Sequence, residues 1–197
     1  MARSIDNIVV GVRSIDKATD MWIDHFGLDV VSERNGADLD LSKLWGLDDD
    51  QIEKQVLLTT PQVEVGRIHL VQFKNPLLPV RQHANATDLG PKNLDLKCLD
   101  LPKKYHELID LGYSFRSKYV AYQIESIGAD VLEVQMPGHD YTNIIFVEEI
   151  GEKIKLSTKG YGGITSLVTI VSDLEEETDF FMDLLSLKEV VSEDLFG

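Results

Sequence analysis

The sequence predicts an α+β chain built from tandem βαβββ modules, with a third module begun near its end. Two observations carry this. Ile5–Val31 (IDNIVVGVRSIDKATDMWIDHFGLDVV) recurs without a gap 159 positions later as ITSLVTIVSDLEEETDFFMDLLSLKEV, starting at Ile164. The shift sets Ile5 on Ile164, Val12 on Val171, Ile15 on Leu174, Thr19 on Thr178, Asp20 on Asp179, Trp22 on Phe181 and Leu28 on Leu187. A fainter copy starts near Asn93 (NLDLKCLDLPKKYHELIDLGYSF). Internal repeats of this kind fix architecture before any single element does. They place a first module at 1–76, a linker at 77–92, a second module at 93–150, a second linker at 151–163, and the strand and helix of a third module at 164–197.

Each element has a local reason. Residues 4–13 are apolar and β-branched, as a strand requires, and end in a turn at Arg13–Ile15. Ala18, Met21, Trp22, Ile23 and Phe26 then form one helical stripe, with Ser14 or Asp16 as cap and Gly27 as the stop. Leu28–Glu33 reads as the next strand. Residues 34–54 are polar and mixed, with LSKLWGL a short helix or an inserted loop. Gln55–Thr60 and Gly66–Phe73 read as two strands joined through Pro61 and Gly66. Asn75–Pro91, rich in Pro, Asn, Asp and Gly, reads as linker.

The second module repeats the order. A strand at 93–98 leads to a helix from Pro102, a favourable first-turn proline, to about Leu111. Strands follow at Tyr113–Ser117, near 119–125 and near 130–136, then a turn at Pro137–Tyr141 and a last strand at Asn143–Glu149. The third copy supplies one strand, one helix and the start of a strand at 188–191. Its apolar residues Leu167, Phe181 and Leu184 are expected to pack across the first two modules or against a partner chain.

Composition limits the function classes. With 34 acidic against 19 basic residues the formal charge is -15, which opposes nucleic acid and anionic membrane surfaces. Cys98 is the single cysteine, so no intrachain disulfide forms and a reducing, cytoplasmic location is expected. The start lacks a leader pattern and no 18-residue apolar stretch occurs. Neither a P-loop, a dinucleotide fingerprint, a zinc knuckle nor an HExxH pattern is present.

In their order and spacing, IDNIVVGVRSIDKATDMWIDHFGLDVV, GRIHLVQF, NLDLKCLDL and MPGHDYTNIIFVEE resemble the vicinal oxygen chelate superfamily. That group holds glyoxalases, extradiol dioxygenases, methylmalonyl-CoA epimerases and bleomycin-resistance proteins. The resemblance implies a glyoxalase-like fold, in which two modules curl a mixed sheet into a cup. It also implies metal ligands on the opening and closing strands, His early and Glu or His late. The corresponding positions here are Asn7, His69, Asn93 and Ile145, and the third copy opens with Ser166. Only His69 is an ordinary divalent-metal ligand, so the expectation is no metal ligand set and no cofactor.

Strand alternation gives the cup lining. If Asn7 faces inward, so do Val9 and Gly11, then Arg67, His69, Val71 and Phe73, then Asn93, Asp95 and Lys97, and finally Asn143, Ile145 and Val147. The expected ligand-binding set is His69, Arg67, Asn7, Asn93, Asp95, Lys97 and Phe73, with no catalytic residue assigned. Asp95 is expected to pair with Lys97 or Arg67, since buried charges are normally paired. Trp22 and Cys98 read as core. His25 sits near a helix end, and His83 and His139 lie in turn or linker segments.

These readings together indicate a metal-independent protein that binds a small organic molecule, of the glyoxalase and bleomycin-resistance type, acting as a homodimer. Two alternatives stay open at this stage. One is a lyase or ring-cleaving dioxygenase whose divalent metal is held by His69 with residues outside the usual set. The other is a structural or dimerising half of a four-module protein.

Overall fold

A computed structural model describes residues 5–189. Its first sheet holds strands β1 (Asn7–Val12), β2 (Asp29–Asn35), β3 (Ile52–Thr59) and β4 (Arg67–Phe73) in the order β1-β4-β3-β2. Helix α1 (Ile15–Thr19) continues as π-helical turns over Asp20–His25, and a short helix α2 (Leu39–Trp45) is inserted between β2 and β3. The second sheet is built from β5 (Gly90–Cys98), β6 (Val120–Ile124), β7 (Ala129–Pro137) and β8 (Asn143–Glu149), with α3 (Leu101–Asp110) following β5. β9 (Tyr161–Ile170) adds to its edge, so the order is β6-β7-β8-β5-β9. α4 (Leu174–Leu185) ends the described chain. Two curved mixed sheets with helices between their strands make a glyoxalase-like fold.

The repeat is visible in the backbone. β1 pairs parallel with β4 in the first module, and β5 pairs parallel with β8 in the second. Each of the three copies starts its helix with a side-chain cap at the same repeat position. Ser14 accepts from Lys17 N, Asp100 from Lys103 N and Asp173 from Glu176 N. A side-chain oxygen there satisfies one of the amides that a helix start leaves open.

A single apolar core runs through both sheets. Val10, Val12, Ile68 and Leu70 from the first join Leu94, Leu96, Met136, Ile144 and Phe146 from the second. Helix α1 links them. Trp22 and Phe26 are wholly buried, and Phe26 meets Phe146 at 5.5 Å and Tyr161 at 4.7 Å between ring centroids. The Trp22 indole donates to His139 Nε2 at 2.8 Å, and the His25 Nδ1 lies 2.7 Å from the Tyr113 hydroxyl. Burial pushes the His139 imidazole down to about 4, which keeps it neutral as an acceptor for Trp22.

Two expectations need correcting. Tyr113–Ser117 does not form a strand: a single bond from Arg116 N to Gln135 O (3.0 Å) reaches β7, too little for a ladder, and regular pairing starts only at β6, opposite Ala129–Glu133. The strand at 93–98 starts earlier, at Gly90, because β9 pairs with it as far as Gly90–Ile170. Lys188 and Glu189 carry no regular structure, and the rest of the strand expected at 188–191 lies outside the described residues.

β9 supplies the seam between the sheets. It runs antiparallel to β5, and its Ile164 N donates to Gly66 O at 3.1 Å. Gly66 has φ +65°, and a Cβ built there would sit 2.2 Å from Ile164 O. Only glycine permits both the left-handed backbone and this approach. Among the described residues α4 finds no comparable seat. Its Phe181 and Leu184 are exposed, as is Leu167 of β9, where the matching Trp22 of the first copy is buried.

Replacing Gly66 by alanine should lower stability by about 1–3 kcal/mol, read as a reduced urea midpoint; an unchanged midpoint would show that β9 is not held there. His139 makes a second, pH-dependent expectation. Its pKa is lower folded than unfolded, so the folded state binds fewer protons as pH falls below 6.5. The stability difference between wild type and His139→Gln should be constant above pH 6.5 and shrink between 6.5 and about 4. A flat difference across that window, measured by chemical denaturation, would place His139 in water.

Candidate functional site

The side chains opposite the core face of the first sheet are those that alternation placed in the cup. Arg67, His69, Val71 and Phe73 alternate with buried Ile68 and Leu70, and β1 and β4 align Asn7 with Arg67 and Val9 with His69. This face is not open around His69. The start of α2 sits against it: Asp38, the helix cap, accepts from Leu41 N and from Gln55 Nε2 at 2.8 Å, and Ser42 is wholly buried. The Gln55 Oε1 lies 2.8 Å from His69 Nε2, and Arg34 closes the chain on Asp38 at 2.8 Å. The Leu41 amide, then Gln55, hold the Asp38 carboxyl below its ordinary range. Burial lowers the pKa of His69, against a smaller opposing pull from Asp38. Asn7 donates to Asp6 Oδ2 at 2.8 Å, and Arg67 is paired with Asp6.

On the second sheet, Asn93 and Asn143 are buried and bonded to each other, and Arg116 Nε donates to Asn143 Oδ1 at 2.9 Å. Lys97 is paired with Glu152 at 2.6 Å and Glu149 at 3.2 Å; burial works against its charge, but these carboxylates outweigh it and raise its pKa. The expected pairing of Asp95 with Lys97 or Arg67 is therefore not formed, since both cations hold other carboxylates. Asp95 instead accepts from Ser166 Oγ of β9 at 2.5 Å, and burial raises its pKa.

A divalent ion does not suit the positions that the resemblance implied. His69 Nε2 is occupied by Gln55, Asn7 and Asn93 offer neutral amides already bonded, and Ile145 is buried and carries no donor. Among the described residues no three His, Cys, Asp or Glu side chains gather as a metal site would require. Cys98 is buried, and burial pushes its thiol up to about 12, so no thiolate ligand or nucleophile is present at neutral pH.

The room for a ligand lies at one end of the cup, where the two sheets meet. A cavity of about 730 Å³ opens there. Its walls include Val9 and Gly11 of β1, Phe73 of β4, Asn93 of β5, Asn143 of β8 and Leu167 of β9. Of the seven sequence-derived ligand residues, Phe73 and Asn93 line it; Asn7, Arg67, His69, Asp95 and Lys97 lie outside its lining. The segment Asn75–Arg81 passes over it as a strap. Leu77, Leu78 and Val80 on the strap are 88%, 72% and 96% exposed. Sequence reading took this stretch as linker. The missed signal is an aliphatic run, PLLPV, inside an otherwise polar segment.

No protein-family model matches the sequence, and no curated protein matches it either. Solved structures do resemble it. A glyoxalase family protein from Bacillus cereus superposes with a TM-score of 0.63 at 21% identity, covering 75% of this chain and 95% of that one. A candidate dioxygenase from Bacillus subtilis gives 0.63 at 12% identity, over 98% of this chain and 58% of that one. A mutant of glyoxalase I from Zea mays gives 0.61 at 13% identity, over 98% and 59%. This chain thus spans under two thirds of the latter two. At these identities the likeness establishes the fold, the one that the vicinal oxygen chelate resemblance implied. Among the described residues no helix is long and apolar enough to cross a membrane.

The seat of α2 over His69 has a direct consequence. The His69 imidazole should titrate below the ordinary 6.5 when followed by NMR, because burial disfavours its cation. A midpoint at or above 6.5 would mean that α2 leaves this face open to water.

Proposed function

We propose that the protein binds a small organic molecule without using a metal ion, in the cavity between β1, β4 and β5. The observation that carries this reading is the cavity itself. Its volume falls in the range of small-molecule sites, and aliphatic and aromatic walls are joined by a few polar groups that can orient a ligand. The strap supports it. Three large aliphatic side chains left in water over an apolar opening gain by closing on an apolar guest, at roughly 25 cal/mol per Å² buried. The donor chemistry at Asn7, His69, Asn93 and Ile145 favours binding over metal-assisted catalysis.

Phe73 and Asn93 are the contacts that this reading keeps from the sequence-derived set, joined by Val9, Gly11 and Leu167. The His69–Gln55–Asp38–Arg34 chain then serves to fix α2 and to satisfy polar groups beneath it. In a bound state the ligand would displace water from apolar walls, with Asn93 offering its amide nitrogen as a donor.

Gly11 gives the test. A Cβ at this position meets Phe73 Cε2 at 3.6 Å, an ordinary contact, and the residues around it belong to the cavity. Gly11→Leu should keep the wild-type unfolding stability in urea to within about 1 kcal/mol while occupying part of the cavity. A thermal-shift screen with aromatic, polyketide and thiol-adduct compounds should find ligands that raise the melting temperature of the wild type. Those shifts should vanish in Gly11→Leu and persist in Gly11→Ala. Shifts that survive in Gly11→Leu would place binding elsewhere, and stoichiometric metal bound at His69 in protein purified without chelator would overturn the metal-free reading.

A further inference from the structure

We infer that the ligand is an amphipathic anion: an apolar body with an oxyanion head such as carboxylate, sulfonate or phosphate. This rests on the binding reading above and specifies its chemistry. The chain carries a formal charge of -15, so a surface opening taken at random would repel anions. The cavity reverses that balance. Arg13, Arg81 and Lys92 line it against one carboxylate, Asp140.

That carboxylate is already engaged. Asp140 Oδ2 accepts from the backbone of Arg13 at 2.9 Å, and its Oδ1 stands 3.8 Å from Arg13 Nε, a loose pairing that leaves most of the Arg13 fork unused. Arg81 is freer still. Its guanidinium donates to Asn85 O at 3.2 Å, and among the described residues it has no carboxylate within ion-pair distance. A guanidinium presents several donors in one plane and is weakly hydrated, so it suits an oxyanion at the edge of an apolar wall. Arg81 also follows directly on the exposed strap residues Leu78 and Val80, so closing the strap on an apolar body would bring its positive charge toward the head.

The test compares two fluorescent probes with the same anilinonaphthalene body, one carrying a sulfonate (1-anilinonaphthalene-8-sulfonate) and one neutral (N-phenyl-1-naphthylamine). Titrated into the full chain at low salt, the sulfonate should bind about ten-fold more tightly despite the acidic protein. In the double variant Arg13→Gln, Arg81→Gln the preference should fall to about two-fold or less, with the neutral probe unaffected. Gly11→Leu should lose both probes, which locates them in this cavity and away from the exposed face of α4. Displacement of the sulfonate probe by decanoate but not decyl phosphate, or the reverse, then identifies the head group. Equal binding of the two probes to wild type, or a preference that survives the arginine substitutions, overturns the anionic ligand while leaving the binding reading intact. Failure of both probes to bind, or sulfonate binding that Gly11→Leu leaves unchanged, overturns both.

Discussion

The aromatic contact between helix α1 and the second sheet makes two modules into one body. Phe26 reaches Phe146 and Tyr161 of the second module, while Trp22 packs edge-on against Phe26 and its indole finds an acceptor in His139. Large aromatic side chains bury more surface than any others, and edge-to-face packing adds to that. A single cluster then runs through both sheets, so neither module's helix-facing surface is solvated. The cost is a buried imidazole, kept neutral so that it can accept from the indole.

The third copy shows what an incomplete repeat can and cannot use. β9 has a ready partner in β5, and Gly66 lets it approach the first sheet, so its backbone polar groups are satisfied. α4 is capped at the same repeat position as α1 and has a similar apolar row, yet among the described residues no sheet lies beneath it. Helix formation needs only local capping and propensity. Burial of its face needs the strands of its own module, and these are what the described third copy lacks.

The polar faces of the sheets divide into a filled part and a vacant part. Around His69 the inserted helix α2 supplies Asp38 as both cap and hydrogen-bond acceptor, so the imidazole is committed to Gln55. Around Asn93 the amides lock to one another and to Arg116. A cavity survives toward the end of β1, where Gly11 lacks a side chain and the linker crosses as an apolar strap. A glyoxalase-like scaffold whose Asn7, His69 and Asn93 side chains are engaged in internal hydrogen bonds can still keep a cavity at the seam, because the seam is shaped by how the backbone curves there.

The sequence by itself determined the repeat, the cap of the first helix, the alternation of β1, β4, β5 and β8, and the donor types that Asn7, Asn93 and Ile145 present. These are local properties: periodicity, capping chemistry and donor type are carried by each residue wherever the chain goes. Only the tertiary structure decided that Asp95 would pair with Ser166, that α2 would close over His69, that Tyr113–Ser117 would reach β7 through a single bond and form no strand, and that the cavity would form under Pro76–Arg81. Each depends on which distant segments come together. Period-two alternation tells which face a side chain occupies, but not what stands opposite that face. That is settled by how the two sheets curve and by where an insertion and a linker come to rest.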